Sequence, residues 1–117
     1  MKTHISFRDV AERQLIRTEL VRQTAKFDRQ LKKFDPDLLN LHVSLERRSR
    51  RGDQFIASVT LYLPMSQLHA SEEDAHAVVA LKHSCAQLMR ELKRFKARLR
   101  GDDKRRRARR LRRRASL

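Results

Sequence analysis

The sequence EEDAHAVVALKHSCAQLMRELKRFKARLR, residues 72–100, contains the strongest periodic pattern in the chain. Its apolar residues recur at alternating steps of three and four positions, which places them along one face of a helix. These residues are Val78, Leu81, Cys85, Leu88, Leu92, Phe95 and Leu99. The second half of this helix is strongly basic, through Arg90, Lys93, Arg94, Lys96, Arg98 and Arg100. One face of the helix therefore needs an apolar partner, and the rest needs an acidic one.

The first part of the chain predicts a short strand followed by a helix. Residues 2–8 alternate between apolar and polar side chains, as a half-buried strand does. Asp9 has the features of a helix N-cap, with Glu12 as its capping-box partner. The helix is expected to end near Phe34, because the Asp-Pro-Asp sequence that follows cannot continue it. Its apolar side consists of Ile16, Leu20, Phe27, Leu31 and Phe34.

Two strictly alternating stretches come next. Residues 38–47 and residues 54–63 have an apolar side chain at every second position, which predicts two half-buried strands. Between them, residues 47–53 read RRSRRGD, a composition typical of a hairpin connection. The four arginines of this segment would lie near the hairpin tip.

A short fourth strand is expected at residues 67–71, ahead of the long helix. Ser71 is expected to cap that helix, with the acidic residues 72–74 at the positive end of its dipole. This interpretation explains the acidic cluster without acid–base chemistry, so no enzymatic activity is expected. From Gly101 onward the apolar stripe is absent, and residues 101–117 are expected to form a disordered, arginine-rich basic tail.

The element order is therefore β-α-β-β-β-α. It predicts an α+β fold for residues 1–100, a two-layer sandwich with two helices on one face of a four-stranded mixed sheet. The first two strands are joined through a helix and can run parallel, whereas the later connections favour antiparallel hairpins. The stripe of the long helix also fits a coiled-coil dimer, but it covers only about three heptads and the sheet already needs a cover. We therefore expect a monomer when the chain is free.

The charge balance indicates an acidic partner. The 117 residues have a formal net charge of +15, and residues 1–100 remain basic without the tail, with twenty Lys or Arg against twelve Asp or Glu. Charges that serve solubility alone usually balance more closely. With no Trp and one Tyr, the chain offers little for base stacking, so recognition of RNA shape and phosphates is expected.

Other partners and locations are less compatible with the sequence. The single cysteine excludes an intrachain disulfide. No apolar run approaches the roughly 20 residues of a membrane span, and we expect a cytoplasmic protein without a membrane partner. His69, His76 and His83 suggest a metal site, but no four-ligand spacing is present and the nearby Cys85 belongs to the apolar stripe. No metal or other cofactor is therefore expected.

Three stretches carry a family resemblance. Residues 24–34 read TAKFDRQLKKF, residues 68–71 read LHAS ahead of acidic residues, and residues 88–96 read LMRELKRFK. In this order and spacing they resemble the ribosome hibernation promoting factor family, also called the ribosome-associated inhibitor or sigma-54 modulation family. The likeness covers about residues 1–100 and is to the short form, which lacks a C-terminal dimerisation domain. The family's Asp-x-Tyr-Ala-Ala pattern is not kept, because His76 and Val78 occupy the Asp and Tyr positions.

The resemblance implies a non-enzymatic protein that binds the small ribosomal subunit in the channel shared by mRNA and tRNA. There it would block the mRNA and tRNA sites and inhibit translation by idle ribosomes, with no small-molecule substrate. Basic residues of both helices would contact rRNA phosphates. The predicted contacts are Lys26, Arg29, Lys33, Arg90, Lys93, Arg94, Lys96, Arg98 and Arg100.

Two other functions remain open from the sequence. The chain could be a general binder of double-stranded RNA or other nucleic acid, which would bind naked duplex and ribosomes equally well. It could also be a regulatory protein partner, whose binding would respond little to salt. A third interpretation makes the helix charges a solvated surface with internal ion pairs, such as Glu91 with Arg94.

Overall fold

The computed structural model of the protein describes residues 1–48 and 54–115, without the side chains of residues 102–104 and 112–115. In chain order its elements are β1 (Lys2–Arg8), α1 (Arg13–Gln30), a short 3-10 helix (Pro36–Leu38), β2 (Asn40–Arg48), β3 (Gln54–Leu63), β4 (Ser66–Asp74) and α2 (Ala77–Ala115). The predicted β-α-β-β-β-α order is confirmed. Residues 49–53, which include Arg50, Arg51 and most of the predicted hairpin tip, lie outside the described residues.

The four strands form one sheet in the order β1-β2-β3-β4. As predicted, β1 pairs with β2 in parallel, while β3 is antiparallel to both β2 and β4. Alternation along the strands directs one set of side chains towards the helices. Leu41, Val43 and Leu45 of β2 and Val59 and Leu61 of β3 belong to this set and are buried.

The hydrophobic core lies between the sheet and the two helices. Ile16 and Phe27 of α1 are fully buried, and so are Leu81, Leu88 and Leu92 of α2. Burial of each large side chain of this kind stabilises the fold by roughly 1.5–3 kcal/mol. The predicted two-layer α+β sandwich is therefore confirmed, and the opposite sheet face is not covered by any described element.

The bounds of α1 differ from the predicted ones. Asp9 does not cap the helix, because it adopts a positive φ of 58° in a sharp turn that leads from β1 into the core residue Val10. The helix begins at Arg13 with Glu12 as its N-cap, and the Glu12 side chain forms no cap hydrogen bond. At the other end, turns replace the predicted last helical residues, and the Phe34 N–H donates to the Leu31 carbonyl at 3.0 Å.

The predicted start of α2 was wrong. Ser71 does not cap the helix, because it and the acidic residues 72–74 belong to β4. The length of β3 explains this difference, because its first residues pair with residues 72–74 and so extend β4. Phe55, for example, pairs with Asp74. The Asp74 carboxylate instead accepts a 2.8 Å hydrogen bond from the His76 N–H, directly ahead of the helix.

Helix α2 continues past residue 100 to Ala115. Arg, which has high helix propensity, accounts for eight of the 15 residues of this extension. At about 1.5 Å per residue, the 39 residues of α2 account for most of the 68 Å length of the molecule. The described side chains of residues 105–111 are exposed. Two expectations about this region stay predictions. One is that a domain ends at residue 100, and the other is that the free protein has a disordered tail beyond it.

Candidate functional site

Helices α1 and α2 lie side by side and run in the same direction. Near the end of α1, the Gln30 Oε1 accepts a 3.1 Å hydrogen bond from the Lys96 Nζ of α2. Earlier in both helices, Glu19 and Lys26 of α1 lie close enough to Cys85 of α2 to influence its pKa. Both sets of partners advance from N-terminus to C-terminus, so the basic second half of α2 lies beside the C-terminal half of α1.

A cleft of about 460 Å³ opens where α1 ends beside α2, and we call it the basic cleft. Five of its lining residues are cationic, and among the described residues no carboxylate lines it. Its lining consists of Arg29, Gln30, Lys32, Lys33, Phe34, Lys96, Leu99 and Arg100. Such a concentration of uncompensated positive charge at a concave surface favours a polyanionic ligand.

The local structure at the end of α1 explains how these side chains converge. The turns after Gln30 carry Lys32 and Lys33 past the helix end, while the half-buried Phe34 packs against the core. The negative end of the α1 dipole also favours cations in this position. On α2, Leu99 is the last residue of the apolar stripe and remains 42% exposed, so it contributes an apolar patch to the cleft.

The six predicted cations of α2 divide into two rows. Residues three or four positions apart on a helix share a face. Lys96 contacts α1, so its neighbours at these spacings lie on the face directed at α1. Lys93, Lys96 and Arg100 therefore form the row that faces α1. Arg90, Arg94 and Arg98 form a second row, and Arg98 lies about 200° around the helix from Lys96, on the flank away from α1. Only the first row has members in the basic cleft.

Of the three predicted cations on α1 and in the turns that follow it, two line the basic cleft and one lies further back. Arg29 and Lys33 line the cleft. Lys26 is exposed and lies on the flank that faces α2, where its charge lowers the pKa of Cys85. Burial and the negative charge of Glu19 act more strongly in the opposite direction and raise the pKa of Cys85 to about 12. The thiol is therefore protonated at neutral pH and poorly suited to act as a nucleophile.

Ion pairs compensate some of the helix charges. The pair expected between Glu91 and Arg94 is present, with 3.0 Å between the Arg94 Nη1 and the Glu91 Oε1. Arg22 likewise lies 3.5 Å from Glu19, whose buried carboxylate also accepts a hydrogen bond from Gln23. The Arg94–Glu91 pair is largely exposed, and exposed pairs contribute at most about 1 kcal/mol, so a phosphate can compete for the Arg94 side chain.

Four lining residues of the basic cleft were not among the predicted contacts, namely Gln30, Lys32, Phe34 and Leu99. Phe34 and Leu99 were assigned to apolar stripes, and each is the last residue of its stripe. Lys32 is adjacent in the sequence to Lys33, which was among the predicted contacts. The terminal position of Phe34 and Leu99 in their stripes is the signal that could have identified these two residues.

Two further classes of site find no support in the described part of the chain. None of its helices is long and apolar enough to span a membrane. Within the same residues, no group of three or more His, Cys, Asp or Glu side chains is placed to hold a metal ion.

Comparison with known proteins identifies a family to which the sequence is similar. Residues 3–100 match the sequence model of the family described as sigma 54 modulation protein / S30EA ribosomal protein. None of the curated proteins with which the chain was compared matches it.

Two solved structures share the fold. One is the N-terminal domain of Thermus thermophilus Protein Y, with a TM-score of 0.64 and 24% identity over 81% of this chain and 99% of that one. The other is a ribosomal subunit interface protein from Coxiella burnetii, with a TM-score of 0.57 and 21% identity over 83% of this chain and 99% of that one. At these identities the likeness establishes the fold alone.

Proposed function

The chain belongs to the sigma 54 modulation protein / S30EA ribosomal protein family, as its sequence patterns had predicted, and on that premise we propose that it is a ribosome hibernation factor. It binds the small ribosomal subunit through rRNA phosphates, occupies the mRNA and tRNA sites, and inhibits translation by idle ribosomes. It acts by binding rather than by catalysis, and it does so in the cytoplasm as a monomer until it meets the ribosome.

The observation that carries this proposal is the basic cleft. Cations from two helices meet there around an apolar patch, and the described lining residues include no carboxylate. A folded RNA presents phosphates at close spacing on a curved surface, which a concave group of cations matches. The attraction comes from Coulomb energy and from the release of counterions, and arginines add bidentate contacts with phosphate oxygens.

The remaining predicted contacts extend the same surface along both helices. Lys26 and Lys93 continue it from the cleft towards the helix N-termini. Arg90, Arg94 and Arg98 would meet rRNA only where it wraps around the outer side of α2. We therefore expect the cleft residues to matter most for affinity and the outer row to matter less.

Competition with the natural occupants of the small subunit tests this function. Isolated small subunits are incubated with increasing amounts of the protein, and binding of a labelled mRNA and a labelled tRNA is measured by filter retention. We expect both to be displaced at protein concentrations that saturate co-sedimentation. Stable co-sedimentation with undiminished mRNA and tRNA binding would overturn the proposed blocking of these sites.

A general nucleic-acid binder is the second candidate, and one observation favours it. The exposed arginines at positions 105–107, 109 and 110 lie beyond the residues that match the family, and nothing in the described structure covers them. Affinities for naked RNA duplex and for small subunits, measured at the same moderate salt, separate the two functions. A marked preference for subunits supports the hibernation factor, whereas equal affinities support the general binder.

A further inference from the structure

The sheet face opposite the helices carries polar side chains in straight rows across all four strands. His4, His42, Thr60 and His69 are register partners from β1 to β4. The adjacent row, two residues further along each parallel pair, consists only of serines. Its members are Ser6, Ser44, Ser58 and Ser71. The stability of the sheet does not require a row of four serines beside a row with three histidines, which indicates that this face has a functional role.

Contacts within the histidine row, and between this row and Tyr62, hold the rings in place. The ring centroids of His4 and His42 are 4.6 Å apart, and those of His42 and Tyr62 are 4.9 Å apart. At the other end of the row, Thr60 and His69 share a 2.8 Å hydrogen bond. Three ring side chains thus form a connected group on the open face, and Tyr62 is 38% exposed.

The serine row forms the floor of a shallow trough. Serine side chains are shorter than the histidine side chains on one side of the row. They are also shorter than Arg8 and Glu46 on the other side, which form an ion pair with 3.8 Å between the Arg8 nitrogen and the Glu46 oxygen. A cavity of about 280 Å³ lies over the two rows, lined by His4, Ser6, His42, Ser44, Ser58 and Thr60, together with Ile5 and Val43. The cavity is lined by residues of β1, β2 and β3, and with neighbouring strands about 4.8 Å apart it extends roughly 10 Å across the sheet, enough for about two stacked bases.

The chemistry of this face favours RNA over a protein partner. A protein interface needs an apolar centre, but the centre of this face consists of hydroxyl and imidazole groups. These groups donate and accept hydrogen bonds to base edges and to ribose 2′-hydroxyls, and the exposed ring faces offer stacking surfaces. On this face the cations Lys2, Arg8 and Arg48 outnumber the carboxylates of Glu46 and Glu73, and the net charge of +15 for the whole chain also complements a polyanion.

We propose that the open face of the sheet is a second binding site, which takes a short segment of single-stranded RNA. Bases stack on the rings of His4, His42 and Tyr62, while the serine row contacts the ribose hydroxyls. This site lies on the other layer of the sandwich from the basic cleft, so it goes beyond the proposed function. The protein could then hold a single strand on one face while its helices contact folded rRNA.

The composition of the chain provides a specific probe of this site. Tyr62 is the only tyrosine and the chain has no Trp, so intrinsic tyrosine emission reports on this face alone. The full-length protein is titrated with a short unstructured oligouridylate and with an RNA hairpin of equal length, and emission is corrected for RNA absorption. We expect saturable quenching by the single strand and little by the hairpin. Binding of the oligouridylate without any quenching, seen by fluorescence anisotropy, would overturn the proposal.

A pair of histidine variants supplies the matched control. His42→Ala removes the central ring of the row, and His83→Ala removes an exposed imidazole from α2, outside the sheet. We expect His42→Ala to weaken oligouridylate binding about five- to tenfold at every salt concentration, and His83→Ala to leave it unchanged. Equal affinities for the two variants would contradict the proposal.

Binding to small subunits separates this inference from the proposed function. The double variant Lys33→Glu/Arg100→Glu changes the basic cleft but no residue of the sheet. We expect it to lose subunit binding while the oligouridylate still quenches Tyr62 at low salt. If the cleft variant instead abolishes quenching at every salt concentration, the single strand binds along the helices and the sheet site is excluded.

Discussion

Lys96 of α2 donates a hydrogen bond of 3.1 Å to the side-chain oxygen of Gln30 at the end of α1. This bond joins two helices that are far apart in the sequence, and it fixes the position of an ammonium group at the basic cleft. The charge remains available, because Gln30 is neutral and cannot compensate it. A phosphate that enters the cleft therefore meets a cation that is already oriented.

Replacing Gln30 with Ala tests this orientation. The variant keeps every charge but leaves the Lys96 side chain free to adopt other rotamers, which costs binding entropy. We expect affinity for small subunits to fall about two- to fivefold, with a change in unfolding free energy of no more than about 1 kcal/mol. Gln14→Ala, at an exposed position near the start of α1, is the control. Equal affinities of the two variants would show that the hydrogen bond does not matter for binding.

Two leucines of α2 should differ sharply in their contribution to stability. Leu88 is fully buried, whereas Leu99 is 42% exposed beside the cleft. We expect Leu88→Ala to lower the unfolding free energy by about 2–5 kcal/mol. Leu99→Ala should change it by less than about 1 kcal/mol. Urea denaturation followed by circular dichroism measures both, and similar losses would mean that the apolar stripe packs along its whole length.

Cys85 should make stability depend on pH in the alkaline range. Its ordinary pKa is 9.0, and burial raises it to about 12 in the folded chain. Between these values the unfolded chain has released a proton that the folded chain keeps, so raising the pH favours unfolding. We expect the thiol to account for a fall of about 1 kcal/mol in unfolding free energy between about pH 9 and pH 10.

Cys85→Ala isolates this contribution from the other groups that titrate in the same range. The variant loses some packing at all pH values, but its unfolding free energy should fall less between the two pH values than that of the unaltered protein. The comparison requires urea denaturation of both proteins at each pH. Parallel curves would contradict a buried, protonated thiol.

The strands could be predicted well because each strand buries one face, and the alternation of apolar and polar residues in the sequence indicates this directly. The bounds of β3 were predicted to the residue, at Gln54–Leu63. The start of α2 could not be predicted in the same way. A Ser followed by three acidic residues has the local pattern of a capped helix, but pairing with β3 extends β4 to Asp74 instead. Here a tertiary contact overrides a local preference.

The candidate site was only partly predictable for a similar reason. Helix periodicity gives the angular position of each cation on its own helix, and it correctly separates charged from buried positions. Which flank faces the other helix depends on packing, so the sequence could not show that Lys96 faces α1 and that Arg98, on the other side of α2, does not. Nor could the sequence predict that the turns after Gln30 bring Lys32 and Lys33 to the same cleft as Arg100.

The arginine-rich extension of α2 should affect RNA affinity but not folding. The side chains of Arg105, Arg106, Arg107, Arg109 and Arg110 are exposed. We expect their joint replacement by Gln to leave the melting temperature within about 2 °C. The slope of log affinity for RNA duplex against log salt should become shallower by up to about 0.9 for each phosphate that the variant no longer neutralises. An unchanged slope would mean that these arginines do not meet phosphates.

Paired charge reversals measure most directly whether the basic cleft is the surface that binds the ribosome. Lys33→Glu/Arg100→Glu changes the cleft, and Arg13→Glu/Arg17→Glu changes net charge equally on the other flank of α1, where both arginines lie over the Phe7 ring. Co-sedimentation with isolated small subunits at moderate salt gives the affinity of each. We expect the cleft variant to bind at least about tenfold more weakly, and the flank variant to stay within about twofold of the unaltered protein. Equal weakening of both variants would contradict a binding surface at the cleft.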